Sequence, residues 1–272
     1  MRKDARPSGH TPAAGGGETQ VRRQGRAIEL LHLAFCQVAA ARLPLNDFAL
    51  KGGGNLRFFL RSRRRSADLD LDHLGRDFDR FAKRMDDLLA SRALSELLRL
   101  REIQLLFEKR RAKDTETVKR WKLKLACLGM EDASSKIEFS DRGSSARPVL
   151  EQMDAELARH LGGVAARLNH YPPVAAIEQK VGALADRRET EPRDVFDLDH
   201  LFRQYPDALA QTQLEPGKTR AAIDRAGEIP YEDYRDLVVE YLEEDFVDLY
   251  RTEQAWTDMV LRVVQQLQEK LR

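Results

Sequence analysis

In the stretch DLDLDHL, carboxylates stand at every second position, as Asp68, Asp70 and Asp72, and no other feature constrains the chain as strongly. Alternate residues of a β-strand point to one face, so the spacing predicts a strand with the three acids on one side and Leu69 and Leu71 on the other. Asp is a poor strand former, and neighbouring like charges disfavour one another unless a cation lies among them. A short distance upstream, KGGG places Gly52, Gly53 and Gly54 between a predicted strand (FALKGG) and a predicted helix (NLRFFLRS). The glycines lack the GK[ST] ending of a P-loop and the GxGxxG of a dinucleotide fold. They do give a turn without side chains at a helix N-terminus, where free N–H groups favour a phosphate. Glycine turn and acidic strand together predict a site in which carboxylates hold divalent ions and the turn holds the phosphates those ions bridge.

The rest of the chain sets the frame for that site. At 272 residues, 42% hydrophobic and 33% charged, it has enough apolar content for one large or two modest globular domains. A net charge of +1 gives no overall attraction to nucleic acid or membrane, so the basic run RSRRRS at 61–66 is a local exception. No segment has the length and apolarity of a signal peptide core or a membrane span, and the expectation is a cytoplasmic protein without a membrane partner. Cys36 and Cys127 lie in apolar surroundings without metal-ligand spacing and read as buried, reduced thiols.

Residues 1–20 are rich in Gly, Pro, Ser and Thr and read as a mobile tail. From residue 21 the periodicities predict the order α-β-α-β-α-β-β-β, with DFDRFAKRMDDLLASRALSELL as one long helix and EIQLLFEKRR and TVKRWKLKLACLGM as a hairpin. SKIEFSD completes the sheet with Lys136, Glu138 and Ser140 on one face. After about residue 150 the pattern is helical apart from a short strand at AARLNHY. The expectation is an α+β domain over 21–150, a mixed sheet with helices, followed by a mainly helical domain over 151–272.

The stretch LKGGGNLRFFLRSRRRSADLDLD resembles the Gly-Gly…Asp-x-Asp signature of nucleotidyltransferase-fold proteins, specifically the AbiEii type of abortive-infection and type IV toxin–antitoxin toxins, whose usual form is close to LKGGTAL followed by RxSxDLD. Gly52, Gly53, Leu56, Arg64 or Arg65, Ser66, Asp68 and Asp70 fall on the pattern, while Gly54 and Asn55 replace the usual Thr-Ala. The family's second pattern finds counterparts in Lys180 of AIEQKVGAL, in Arg187 or Arg188, and in Asp194 and Asp197 of RDVFDLDHL. Lys180 and Arg187 lie seven apart on a helix face, and Asp194 and Asp197 three apart on another, so the two faces could meet in one polar cluster.

The resemblance implies a metal-dependent transferase. Asp68 and Asp70 would bind Mg²⁺ or Mn²⁺, and Gly52, Gly53, Gly54, Ser66 and Lys180 would contact the NTP. Asp68, Asp70, Lys180 and Asp194 form the implied catalytic set. Glu138 is a candidate third carboxylate by strand alternation, and Asp72 a spare acid at the strand end. Arg61, Arg63, Arg64 and Arg65, with Arg57 one turn earlier, are candidates for holding an RNA backbone. A nucleotide would pass from NTP to an RNA acceptor, with the 3′ end of tRNA implied, blocking translation; a cognate antitoxin is the implied partner. A small-molecule nucleotidyltransferase and a non-catalytic interaction protein of the same fold are the alternatives.

Overall fold

The computed structural model describes residues 19–106, 111–143 and 146–272. Most of the expected N-terminal tail, and the FEKR portion of the expected hairpin, lie outside the described residues.

Helix α1 (Gln20–Arg42) starts at an N-cap, Thr19, whose hydroxyl accepts from the Arg22 N–H. It buries Ile28, Leu31, Phe35 and Val38, which recur at helical spacing. Strand β1 (Phe48–Lys51) leads into α2 (Gly52–Phe58), and β2 (Leu69–His73) carries the acidic repeat. The expected long helix is two helices, α3 (Phe78–Leu89) and α4 (Arg92–Arg99). The break has a local cause: the Ser91 hydroxyl accepts from the Leu94 N–H and starts a new helix inside an unbroken amphipathic pattern. Strands β3 (Ile103–Leu106), β4 (Lys113–Asp114), β5 (Val118–Cys127) and β6 (Ala133–Ser140) follow.

Two further strands, β7 (Val149–Gln152) and β8 (Arg167–His170), flank the short helix α5 (Ala155–His160). Both join the same sheet, whose order is β3-β5-β6-β2-β1-β8-β7 with β4 on β5. The sheet thus runs on to His170, past the expected boundary near residue 150. Pairings β2/β6 and β1/β8 are parallel and the others antiparallel, so the sheet is mixed as the sequence suggested.

One face of the sheet, with Leu50, Leu69, Leu71, Trp121, Ile137 and Phe139, packs under α1, α3 and α4 in a first core. A second core lies among α6 (Pro173–Asp186), α7 (Pro192–Gln204), α8 (Pro206–Gln211), α9 (Pro216–Glu228), α10 (Tyr231–Leu237), α11 (Glu244–Tyr250) and α12 (Glu253–Glu269). The α2 segment joins the two: Phe58 belongs to the first core, Leu56 and Leu60 to the second. The loop after it is stitched to the helical half by backbone bonds from Arg65 N–H to the Tyr241 carbonyl and from Glu243 N–H to the Arg63 carbonyl. Cys36 is buried and free, its thiol pushed up to about 12 by burial; Cys127 is free and half-buried. Among the described residues no helix is long and apolar enough to cross a membrane.

Candidate active site

The three glycines answer to three different demands. Gly52 has a φ of +63°, and a Cβ on it would come 3.3 Å from the Asp70 Oδ2. At Gly53 a Cβ would lie 2.5 Å from the Ser66 Oγ, so the loop carrying Ser66 is packed against bare backbone. Gly54 faces the core instead, 2.7 Å from Leu69 Cδ1 by the same construction. Its missing side chain serves packing, as does Asn55, which is buried, donates to the Tyr171 carbonyl at 2.8 Å and meets His170 Nδ1 at 2.9 Å. Ser66 donates to the Asp68 carbonyl at 2.8 Å and shapes the entry to β2.

On the face away from the first core, strand register sets Lys51, Asp70, Glu138 and Arg120 in one row across β1, β2, β6 and β5. Glu138 is ion-paired to Arg120 at 2.5 Å, and Asp68 to Lys136 at 2.8 Å. Asp70 has no hydrogen bond or ion pair among the described residues. Burial, then the neighbouring charges of Asp68 and Glu138, raise its carboxyl above the usual range, against the pull of Lys51 and Lys136. An under-neutralised carboxylate beside a second one fits a divalent cation of the Mg²⁺ kind, which one or two carboxylates hold together with substrate phosphates. No larger cluster of His, Cys, Asp or Glu suited to a metal occurs among the described residues.

Asp72 is not spare. It accepts from Ser140 Oγ at 2.6 Å and Tyr171 Oη at 2.7 Å and pairs with Lys51, which fixes the lysine beside the glycine turn. Lys51 was missed in the sequence, although it immediately precedes the glycines.

Asp70, Gly52 and Lys51 open on a cleft of about 490 Å³ whose other wall is α6, with Lys180 and Arg187, and whose rim carries Arg142. That volume suits a small-molecule ligand. Lys180 Nζ lies 2.8 Å from Asp194 Oδ1 and 2.6 Å from Asp197 Oδ2. Arg187 Nε reaches Asp194 Oδ2 at 2.9 Å, and Arg64 closes the far end on Asp197. Both aspartates are fully buried. Burial alone would raise the Asp197 carboxyl, but Arg64 and Lys180 hold it well below the usual range. Arg187 and Arg193 also share Glu191, at 3.8 and 3.5 Å, so four cations meet three carboxylates, and Lys180 and Arg187 among them line the cleft.

The arginine-rich loop differs from expectation. Arg64 is buried on Asp197, and Arg65 reaches Glu29 and the Leu242 carbonyl. Arg57 is buried between Glu29 and Glu243, and Arg63 pairs with Glu243 while lying over the Phe246 ring. Arg61 and Arg63 are the exposed members, and Arg61 pairs with Asp154 at 3.1 Å. These side chains tie the two halves of the chain together, and Arg57, Arg61, Arg63 and Arg65 line a second cleft that they share with the acids Glu29, Asp154 and Glu243.

The profile of the family described as Nucleotidyl transferase AbiEii toxin, Type IV TA system, matches residues 37–270. Comparison with curated proteins finds no match. Among solved structures the chain is similar to JHP933 from Helicobacter pylori, at 18% identity and a TM-score of 0.54, covering 91% of this chain and 94% of that one. It is similar also to MenT4, a nucleotidyltransferase toxin from Mycobacterium tuberculosis H37Rv, at 17% identity and a TM-score of 0.54, covering 93% and 90%. At such identities the likeness is one of fold.

Proposed function

Because this chain belongs to the AbiEii family of nucleotidyltransferase toxins, we propose that its cleft transfers a nucleotide from an NTP to the 3′ end of an RNA, with tRNA as the acceptor and a block of translation as the consequence. The observation that carries the reading is the under-neutralised Asp70, set beside Asp68 and Lys51 and facing Lys180 across a cleft of nucleotide size.

In this reading the acceptor hydroxyl oxygen bonds to the α-phosphorus, the bond to the bridging oxygen breaks, pyrophosphate leaves, and the hydroxyl proton passes to water. Asp68 and Asp70 would hold a Mg²⁺ or Mn²⁺ ion, which when bound neutralises phosphate charge and lowers the pKa of the attacking hydroxyl. Lys180 pairs with the triphosphate as a compact point charge, and Asp194 and Asp197 orient it. Lys51 and the bare backbone of Gly52 and Gly53 flank the phosphates. A cognate antitoxin is the expected partner of a toxin of this type.

The basic lining, with Lys51, Arg142, Lys180 and Arg187, argues against a cationic antibiotic as acceptor, which would want an acidic pocket. Incubating the purified protein with Mg²⁺, each labelled NTP and total RNA tests the proposal. Label in an RNA band of tRNA size is the expected result. Label in no RNA with any NTP overturns it.

A further inference from the structure

We infer that the open face of the sheet, running from Lys136 outward across β6 and β5, is the track on which a single-stranded RNA acceptor lies while its 3′ end reaches Asp68 and Asp70. The inference rests on the transfer reading above and assigns the surface that delivers its second substrate.

The strand Val118–Cys127 has two unlike faces. Trp121, Leu123 and Leu125 are buried in the first core. Arg120, Lys122 and Lys124 alternate with them and project from the other face, where the side chains of Arg120 and Lys124 are 31% and 58% exposed. Lys136 on β6 stands directly opposite Lys122. An exposed sheet face needs no such charge in order to fold, and like charges directly opposite each other are destabilising. Asp68, Asp132 and Glu138 offset Lys136, Lys124 and Arg120, but Lys122 has no ion pair among the described residues. A polyanion laid across the face relieves that repulsion.

Position adds a second argument. The NTP cleft lies towards the Asp72 end of β2, against Lys51, Ser140 and Lys180, whereas the basic row approaches Asp68, at the other end of that strand, past Lys136 on β6. Transfer requires the attacking and leaving oxygens to lie on opposite sides of the phosphorus, which is the separation these two approaches give. Trp121 is turned into the core, so stacking on the tryptophan of β5 is excluded and the contact is to phosphates, without base readout. In the arginine loop at 61–65, another basic feature, Arg64 and Arg65 are consumed in internal pairs, and the exposed Arg61 and Arg63 are each matched by an acid, Asp154 and Glu243.

Binding of a labelled single-stranded RNA oligonucleotide, measured by fluorescence anisotropy over a range of salt concentrations, tests this. In Lys122→Glu/Lys124→Glu the affinity should fall at least about tenfold, and the salt slope should lose about 1.4, or roughly 0.7 for each of two phosphates. NTP affinity should be unchanged, and the melting temperature should change little, because relief of the Lys122–Lys136 repulsion offsets loss of the Lys124–Asp132 pair. Lys122→Gln/Lys124→Gln, which adds no new acids, should move in the same direction if the charge reversal harms folding. The control is Lys83→Glu/Arg92→Glu, an equal charge change at exposed positions on α3 and α4 behind the sheet, which should leave RNA binding near wild type.

Unchanged affinity and slope in the β5 variants would overturn the track, as would an equal loss in the control. Polyglutamate binding as tightly as RNA, and lost in the same variants, would overturn it in favour of an acidic protein partner. A wild-type protein that labels no acceptor would sink the transfer reading, while the binding data would still decide the surface.

Discussion

Arg64 grips Asp197 through two parallel hydrogen bonds, Nε to Oδ1 at 3.1 Å and Nη2 to Oδ2 at 2.9 Å, and so joins the loop after α2 to helix α7. The loop that enters the acidic strand is thereby locked to the helix that holds Lys180. Planar, bidentate contact is what distinguishes arginine from lysine in such a place.

The first prediction follows from the burial of that pair. Arg64→Ala leaves the fully buried Asp197 with Lys180 alone, and breaking one side of a buried ion pair costs about 3–5 kcal/mol. Urea unfolding should show a loss of that size, and Arg64→Lys should recover only part of it. Replacing both partners, as Arg64→Met/Asp197→Leu, should cost less than the sum of the single changes. Additive costs would mean the two residues are not coupled.

A second prediction concerns Lys180, which has both a structural partner set and a proposed substrate. Lys180→Ala removes a charge-assisted contact worth about 1.5–3 kcal/mol, so NTP affinity or rate should fall at least about tenfold at temperatures well below unfolding. Lys180→Arg should rescue it only partly. Asp194→Asn should lower the rate through the lysine it orients, and Lys136→Ala should be milder towards NTP. Wild-type turnover in both Lys180→Ala and Asp194→Asn would remove the helical half from the active site.

The sequence made some of this arrangement legible and hid the rest for physical reasons. Asp68 and Asp70 could be read because a period of two has one structural meaning, and the register of β2 against β6 puts Glu138 beside Asp70 as alternation required. Lys180, Asp194 and Asp197 could be read as lying on two helix faces, and the two faces meet. The roles of Arg57, Arg64 and Arg65 could not be read, because a basic run looks the same whether its partners are solvent, RNA or distant acids such as Glu29, Asp197 and Glu243. Strand β7 was missed because VLEQ is a short, mostly exposed edge strand with no apolar alternation. Lys51 and Tyr171 gain meaning only through Asp72, to which one lies cross-strand and the other 99 positions away.

A third prediction is a pH dependence of stability centred on His32. Ser135 donates its one hydroxyl proton to the Ala67 carbonyl at 2.7 Å, so toward His32 Nε2, 3.0 Å away, it can only accept. Nε2 therefore carries a proton, and burial, which disfavours the charged ring, leaves the imidazole neutral with that one proton. It props the residue before Asp68. Burial lowers its pKa to about 4, against an opposing pull from Asp68. The unfolded chain takes up this proton near 6.5, so stability contributed by the neutral ring is present above that value and lost as pH falls towards 4. The loss should reach about 3 kcal/mol at one pKa unit per 1.36 kcal/mol. His32→Gln should flatten the curve of melting temperature against pH across that window; an unaltered curve would assign the acid sensitivity to other groups.

The last prediction uses Asp70 to separate function from stability. Its carboxyl is raised by burial and by Asp68 and Glu138. The folded chain therefore holds this proton to higher pH than the unfolded chain. The stability it contributes is full below the ordinary carboxylate range and is lost as pH rises through the raised value. At neutral pH, without metal, the ionised group destabilises the fold. Asp70→Asn should thus abolish transfer and yet raise the melting temperature, by about 2–4 °C for each kcal/mol of relieved repulsion and desolvation. Mg²⁺ with NTP should stabilise the wild type and leave the variant unmoved, because a ligand stabilises only what it binds. Glu138→Gln refines the assignment. It removes one of the charges that raise Asp70 and frees Arg120, so the acid limb of the rate profile should move to lower pH with most of the rate retained. A collapse in rate of about a hundredfold or more would instead make Glu138 a third metal ligand. An Asp70→Asn protein that melts lower than wild type at neutral pH would show that the carboxylate is already neutralised by the fold, and the case for a cation between Asp68 and Asp70 would go with it.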